Sequence, residues 1–291
     1  RVIVTPGSSG GFVLSFTALF DIGQRVGIAN PGYPAYRQIL KAQGLEAVLL
    51  DTEPEAGYRL GPEQISGSNL DGVLVASPAN PTGTMMDREG LTGLIRAAEG
   101  AGVAFISDEI YHGLHYSQPA VSALEISDDV IVINSFSKYF SMTGWRIGWM
   151  IVPEALVDRV DRLGQHMFIC APHVSQIAAL AALDEAAELE ANRATYATNR
   201  EIMIHGLQAA GFSDFAPPDG GFYVYADIGH LGGDSLDLAK ALLEEEGVAV
   251  TPGHDFDPQR GGHTWRFSYA AKTADIVEGM ARIARFTARR R

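Results

Sequence analysis

The sequence predicts an α/β fold: a mainly parallel, seven-stranded sheet sandwiched by helices, followed by a smaller C-terminal α+β domain. Short runs rich in Val, Ile and Ala alternate with helical stretches along residues 1–185. Strands that are apolar on both faces are typical of parallel sheets covered by helices on each side. The 32 glycines and 14 prolines are spread along the chain, which fits many short turns between such elements.

The element order follows from these runs. Strands are predicted at residues 2–5, 25–29, 47–50, 72–76, 103–107, 130–134 and 147–152, and helices at 10–20, 35–43, 87–101, 153–165, 172–184 and 185–210. Beyond residue 211 the pattern changes to strands at 222–226, 248–251 and 264–269 and helices at 235–246 and 274–287. We therefore expect a large domain, residues 1–185, and a small domain, residues 186–291, which begins with a long linking helix.

The composition is that of a globular protein without nucleic-acid or membrane partners. Of the 291 residues, 46% are hydrophobic and 20% are charged. The net charge of −13 repels phosphate backbones, and no apolar run approaches the roughly 20 residues of a membrane-spanning helix. We expect the single cysteine, Cys170, to be buried in its apolar surroundings, and a lone cysteine favours a cytoplasmic location. Because residues 1–5 already form a strand pattern, we expect a further segment ahead of Arg1.

The most informative segment contains Lys138, which follows the apolar run 130–133. Ser135 and Ser137 precede the lysine, and Arg146 follows it. An amine that forms a Schiff base requires fixed geometry and a neighbour that keeps it partly neutral, whereas a phosphate requires hydroxyl groups, a guanidinium and a closely approaching backbone. The segment offers all of these, so it indicates pyridoxal 5'-phosphate as cofactor; a lysine without these neighbours would be read as a surface residue.

This segment resembles the active-site lysine motif of the pyridoxal-phosphate-dependent aminotransferases of class I/II, which have fold type I and belong to the aspartate aminotransferase superfamily. The resemblance rests on the run Ser135-Phe136-Ser137-Lys138-Tyr139-Phe140-Ser141-Met142-Thr143-Gly144-Trp145-Arg146. It implies that Lys138 carries the cofactor as a Schiff base. It also implies that Ser135, Ser137 and Arg146 hold the phosphate of the cofactor.

Three upstream motifs match the family in the required order. The turn at residues 5–11 resembles its phosphate cradle, with Ser8 and Ser9 as donors, although a Gly/Ser turn by itself would be read as having no ligand. Tyr33 matches the ring that stacks on the pyridine of the cofactor; alone, it would be read as anchoring a turn. Asn80, in the Asn-Pro-Thr-Gly motif at 80–83, is implied to contact both the phenolic oxygen of the cofactor and the substrate.

The remaining site residues lie at the end of the fifth strand and near the end of the chain. By resemblance, Asp108 keeps the pyridine nitrogen protonated, which makes the ring an electron sink, and Tyr111 binds the phenolic oxygen beside Asn80. We interpret the neighbouring Glu109 as a structural acid. Arg266 matches the arginine that binds the α-carboxylate of the substrate with two parallel hydrogen bonds.

Together these motifs imply a transaminase that moves an amino group between an L-amino acid and a 2-oxo acid. The resemblance further implies two half-reactions with ping-pong kinetics, Lys138 as covalent anchor and general acid/base, and a homodimer. The histidines show no metal-ligand spacing, so no metal is expected. The side-chain specificity is not predicted.

Two alternatives remain open at this point. A lyase or cyclase that uses pyridoxal phosphate on the same scaffold would share nearly all of the binding residues. The effector domain of a transcription regulator would also have this fold. Such regulators usually carry Pro-Gly-x-Arg after the lysine, where this chain has Thr143-Gly144-Trp145-Arg146.

Overall fold

A computed structural model describes residues 1–290, whose strands form two separate sheets. The larger sheet has the order β1-β7-β6-β5-β4-β2-β3. Neighbours from β3 to β6 pair in parallel, whereas β7 pairs antiparallel with both β6 and β1. The predicted seven-stranded, mainly parallel sheet is thus confirmed. Its strands are β1 Val2–Thr5, β2 Arg25–Asn30, β3 Glu46–Asp51, β4 Gly72–Ala76, β5 Ala104–Asp108, β6 Ile131–Ser135 and β7 Gly148–Ile151.

Helices cover both faces of this sheet. In β4, Leu74 packs into the same apolar cluster as Phe16 of α1, while Val73 and Val75 pack on the other face in the same cluster as Leu94 of α4. Burial on both faces explains why the strands consist almost wholly of apolar residues. The helices up to the small sheet are α1 Gly7–Leu19, α2 Pro34–Ala42, α3 Pro62–Ser66, α4 Arg88–Ala101, α5 Val157–Phe168, α6 His173–Ala182 and α7 Ala186–Ala209.

The smaller sheet is antiparallel and has the order β8-β10-β9. Its strands are β8 Tyr223–Asp227, β9 Thr251–Pro252 and β10 Thr264–Ser268, and two further helices pack beside it, α8 Ser235–Glu246 and α9 Thr273–Ala288. Leu207 of α7 packs with Phe212, Trp265 and Phe286 in a core of its own. We keep as a proposal that a domain boundary lies at residue 185, directly before α7.

Two local expectations differ from the structure. Cys170 is exposed, not buried, because it lies in the short connection between α5 and α6, where the neighbouring Ile169 is also 83% exposed. The strand expected at 248–251 is displaced to Thr251–Pro252, since only these two residues pair with β10. No helix within residues 1–290 combines the length and the apolar composition needed to span a bilayer.

The strand directions bring the predicted motifs to one edge of the large sheet. β2, β4, β5 and β6 run in parallel, and β1 shares their direction because it is antiparallel to β7, which is itself antiparallel to β6. The carboxyl ends of these strands therefore meet at one edge, where β7 begins. Open α/β sheets bind ligands at that edge.

Candidate active site

A cavity of about 300 Å³ opens at this edge. Of the eleven site residues predicted from the sequence, all but Ser135 line it. Five further residues, not predicted, complete the lining: Phe12, Tyr36, Ile110, Thr143 and Tyr223. The predicted residues in the lining are Ser8, Ser9, Tyr33, Asn80, Asp108, Tyr111, Ser137, Lys138, Arg146 and Arg266.

One end of the cavity is built for an anion. Ser8 and Ser9 lie in the first turn of α1, where free backbone N–H groups and the helix dipole attract negative charge, and this turn contains no acidic residue. Gly7 adopts a φ of +73°, and a Cβ atom there would collide with the guanidinium of Arg146. Arg146 itself has a φ of 51°, which is uncommon for a residue other than glycine. Backbone and guanidinium thus form a cradle that a side chain at Gly7 would fill.

Ser135 lies behind this cradle and does not line the cavity. Its hydroxyl accepts a hydrogen bond from the backbone N–H of Ser137 (3.0 Å), pairs with the Ser137 hydroxyl (2.8 Å) and donates to the carbonyl of Ile147 (3.0 Å). Ser135 therefore fixes the position of Ser137, whose hydroxyl is the one that lines the cavity.

Asp108, the last residue of β5, places a buried carboxyl in the cavity. It is 3% exposed and accepts hydrogen bonds from the hydroxyl of Tyr36 and from the backbone N–H of Ile110 (3.1 Å). Burial raises the pKa of Asp108 to about 6, although both hydrogen bonds oppose the shift. Sequence reasoning missed Tyr36; its one available signal was its position one helical turn after Tyr33, which places both rings at the start of α2.

The amine of Lys138 lines the same cavity, 5.8 Å from the centroid of the Tyr111 ring. Burial lowers the pKa of Lys138, and the positive charges of Arg266 and Arg146 lower it further, whereas the carboxylate of Asp108 opposes the shift. The surroundings therefore increase the neutral fraction of this amine, and a neutral amine is the nucleophilic form.

The guanidinium of Arg266 is held between two aromatic rings. Its Cζ lies 4.2 Å from the ring centroid of Tyr223 and 4.7 Å from that of Phe256. Nη1 donates to Oδ1 of Asn80 (2.9 Å) and Nη2 to Oγ1 of Thr251 (3.2 Å), while the buried Nε has no hydrogen-bond partner. A buried N–H donor without an acceptor is costly. A planar anion such as a carboxylate would supply the missing acceptor.

Tyr223, the first residue of β8 in the small sheet, also reaches the site and contacts Tyr111. The hydroxyl of Tyr111 lies 3.3 Å from that of Tyr223, and both side chains are buried. Burial raises the pKa of Tyr111 well above its ordinary value, so its hydroxyl keeps its proton, which it donates to Tyr223 in this structure. Sequence reasoning missed Tyr223, because only the approach of the two sheets brings it to Tyr111.

The donor set fits a small aromatic cofactor that carries a phosphate and a basic ring nitrogen. The cradle at Gly7 and Arg146 suits the phosphate, and the buried carboxyl of Asp108 suits a protonated ring nitrogen. Tyr33 adds an aromatic ring to the lining, and Lys138 adds an amine. Within residues 1–290 no three His, Cys, Asp or Glu side chains are grouped so that they could hold a metal ion.

The chain is similar to a known protein family and to solved structures. Residues 1–283 match the family described as aminotransferase class I and II. A valine–pyruvate aminotransferase of Mycobacterium tuberculosis is 46% identical over 288 residues, which cover 97% of this chain and 74% of the relative.

Two solved structures are also similar. A putative aminotransferase from Silicibacter pomeroyi superimposes with a TM-score of 0.98 at 60% identity, covering 100% of this chain and 78% of the other. The aspartate aminotransferase of Thermus thermophilus, solved with maleate, gives a TM-score of 0.91 at 31% identity, with 98% and 75% covered.

Proposed function

The chain belongs to the class I and II aminotransferases, and from this premise we propose that its cavity binds pyridoxal phosphate through Lys138. The enzyme transfers an amino group between an amino acid and a 2-oxo acid. The observation that supports the cofactor assignment most directly is the single cavity that combines the Gly7–Arg146 cradle, the buried carboxyl of Asp108 and the amine of Lys138.

The phosphate is held at the first turn of α1. Ser8 and Ser9 would donate hydrogen bonds, and Arg146 would supply the positive charge. The Ser137 hydroxyl, which donates to Ser135 in this structure, would turn its proton towards the phosphate. Ser135, which we expected to contact the phosphate directly, acts through its hydrogen bonds to Ser137.

The pyridine ring is held by the other residues of the lining. Tyr33, Asp108, Asn80 and Tyr111 all line the cavity. Tyr33 would stack on the ring, Asp108 would pair with its nitrogen, and Asn80 and Tyr111 would donate to its phenolic oxygen. When bound, the cofactor supplies an electron sink for the electron pair of the broken Cα–H bond. The hydrogen bond from Tyr36 keeps the carboxyl of Asp108 oriented while it does so.

Lys138 anchors the cofactor and moves the proton. In its neutral form the Nζ amine would remove the proton from Cα of the amino acid and would deliver it to the cofactor carbon that keeps the amino group. Arg266 orients the substrate by binding its α-carboxylate, since the unpartnered Nε and the free N–H groups on both Nη atoms offer a bidentate site. Asn80, which accepts from Nη1, holds the guanidinium in that orientation and lies beside the substrate.

The preferred amino donor carries a neutral side chain. Within the described residues, the cations that line the cavity are Lys138, Arg146 and Arg266, and each already has a role with the cofactor or the α-carboxylate. Aromatic side chains supply much of the remaining lining. The 46% identical relative bears the name valine–pyruvate aminotransferase, which supports the same class of substrate.

The active form is a homodimer that works in the cytoplasm. Four apolar side chains of α6 and its C-terminal end are more than half exposed: Val174, Ile177, Leu180 and Leu183. Packing this apolar surface against a second copy of the chain would remove it from water and so stabilise a dimer. The exposed, unpaired Cys170 suits a reducing compartment. Analytical ultracentrifugation of the purified protein tests the dimer, which a monomeric species at micromolar concentration would contradict.

The experiment that tests the function follows bound pyridoxal phosphate by absorbance while amino acids are added one at a time. Wild-type protein is expected to respond to valine and alanine and much less to aspartate. Lys138→Ala is expected to keep its circular dichroism spectrum but to lose covalent retention of the cofactor after borohydride reduction, together with transamination. Lys41→Ala, which changes an exposed lysine of α2, serves as the control. Wild-type turnover by Lys138→Ala would refute the assignment.

A further inference from the structure

A second group of polar side chains lies behind the cavity, around Glu109. This carboxyl is 3% exposed, next to Asp108 in sequence but outside the cavity lining. Its Oε1 accepts hydrogen bonds from the hydroxyls of Ser107 (3.1 Å) and Ser122 (3.1 Å) and from the backbone N–H of Ala123 (2.8 Å). Glu109 is thus tied to β5 and to the segment that follows it, and its other oxygen remains for one more partner.

That partner is His112, whose two ring nitrogens face two different groups. Nδ1 lies 3.4 Å from Oε2 of Glu109, and Nε2 lies 3.1 Å from the carbonyl oxygen of Ser77. A carbonyl oxygen can only accept, so Nε2 carries a hydrogen and donates it. Burial raises the pKa of Glu109 and lowers the pKa of His112 to about 4, so the imidazole is neutral.

Ser77 connects this pair to the active site. Its backbone N–H donates to the carbonyl of Asp108 (3.2 Å), its hydroxyl accepts from the N–H of Met86 (2.9 Å), and its carbonyl accepts from His112. Ser77 begins the turn that carries Asn80 into the cavity, where Oδ1 of Asn80 accepts from Arg266. The bond from His112 is therefore a side-chain link between the turn after β5 and the turn that carries Asn80.

We infer that His112, held by Glu109, is a positioning residue that fixes the Asn80 turn against the Asp108–Tyr111 turn. This inference rests on the proposed function, because Asn80 matters there through its contacts with the cofactor and with Arg266. His112 does not line the cavity, so it acts through the Ser77 carbonyl and not by touching the substrate. A misplacement of about 1 Å at a reacting group can cost on the order of 10²-fold in rate.

Two amide substitutions separate the two nitrogens of the imidazole. In His112→Gln the side-chain NH₂ can occupy the place of Nε2 and keep the bond to the Ser77 carbonyl. In His112→Asn the shorter side chain reaches only the place of Nδ1, so it can contact Glu109 but not Ser77. The two variants have the same functional group and differ by one methylene. They therefore form a matched pair that isolates the effect of the bond to the Ser77 carbonyl.

The first measurement is kcat per cofactor-loaded site, with the KM for the amino donor. We expect His112→Asn to lower kcat about tenfold or more and His112→Gln to stay within about threefold of wild type. His205→Asn, which changes an exposed histidine of α7, is the control and is expected to match wild type. Equal kcat values for the Asn and Gln variants would overturn the inference, because a residue that only packs would lower stability and not the rate of loaded sites.

The second measurement is amide hydrogen exchange of the cofactor-free protein across residues 77–86. In this segment Ala79 donates to Thr84, Gly83 donates to Ala79, and Met86 donates to Ser77. We expect these amides to exchange faster in His112→Asn than in His112→Gln, and unchanged exchange in both would overturn the inference. Since this readout needs neither cofactor nor substrate, it still decides the role of His112 if wild-type protein shows no transamination, which would refute the proposed function alone.

Glu109→Gln tests the other half of the pair. The amide of glutamine keeps an oxygen for the three donors on Oε1 and offers an N–H to Nδ1 of His112. We expect kcat within about threefold of wild type and normal exchange at 77–86. A loss as large as that of His112→Asn would show that Glu109 acts by its charge, and would overturn its role as the support of His112.

Discussion

The carboxyl of Asp108 links the chemistry proposed for the site to the stability of the fold. Burial raises its pKa from 3.8 to about 6 in the folded protein, while the unfolded chain keeps the ordinary value. A raised carboxyl pKa contributes stability that is fully present below about pH 4 and is lost as the pH rises through about 6. Above that range, the cofactor-free protein holds an ionised carboxylate without a cationic hydrogen-bond partner.

Asp108→Asn should therefore stabilise the cofactor-free protein at high pH and weaken its binding of pyridoxal phosphate. The amide cannot ionise, so the melting temperature of the variant should exceed that of wild type by a few degrees at pH 8, and the gap should shrink towards pH 4. The free energy of unfolding of the variant should exceed that of wild type by about 1–3 kcal/mol at pH 8, since one pKa unit corresponds to about 1.4 kcal/mol. Thermal melts from pH 4 to pH 8 measure this. A gap that does not change with pH would contradict the burial argument.

The β1–α1 turn is the element on which the proposed phosphate site depends. Only glycine fits position 7, because the left-handed φ of +73° and the guanidinium of Arg146 both exclude a Cβ atom. Gly7→Ala should therefore displace Arg146 and weaken binding of pyridoxal phosphate by about tenfold or more, as measured by titration of the cofactor-free protein. Gly100→Ala, in an exposed and open position of α4, provides the control and should leave the affinity unchanged. Equal affinities in the two variants would rule out the cradle.

Elements could be predicted from the sequence where their pattern is local. The strands leading to Asp108 and Lys138 are short, apolar and closed by turn residues, and the Lys138 segment has its chemistry in consecutive positions. Tyr223 carries no such signal, and Tyr36 carries only its position one helical turn after Tyr33, because the contacts of both depend on how elements distant in sequence come together. The apolar run around Cys170 misled for the converse reason. An apolar run favours burial, but it does not indicate that residues of the same chain bury it, and Cys170 is exposed.

At the scale of the whole molecule, the cavity is a joint product of the two sheets. Arg266, Thr251 and Tyr223 belong to the small sheet, whereas Asn80 and the other residues proposed to bind the cofactor lie at or after the ends of strands of the large sheet. The catalytic geometry therefore depends on the contacts that hold the two units in register. The hydrogen bond from Arg266 to Asn80 lies inside the cavity and joins the two sheets. Its geometry also depends on the other contacts between the two sheets.

Arg260 is such a link. Its Nε donates to Asp257 (2.8 Å) in the segment between β9 and β10, while Nη1 donates to Glu53 (2.7 Å) after β3. Nη2 donates to the carbonyls of Asn30 (3.0 Å), the last residue of β2, and Thr52 (3.3 Å), directly after β3. One guanidinium thus joins the small unit to two turns of the large sheet. The carboxyl of Asp257 is only 4% exposed, so it depends on this partner more than a surface acid would.

Arg260→Ala should loosen the register of the two units and so impair both stability and catalysis. Removing a charged donor that satisfies a buried carboxylate and two carbonyls should cost about 1–3 kcal/mol, and kcat/KM should fall because Arg266 and Asn80 are no longer held at a fixed separation. The control is Arg88→Ala, which breaks an exposed pair with Glu125 and should change stability by less than about 1 kcal/mol. Thermal melts and steady-state kinetics of both variants decide the matter. If Arg260→Ala behaves like Arg88→Ala in both, the register of the two sheets is maintained by the contacts around Arg266, and Arg260 is an ordinary surface ion pair.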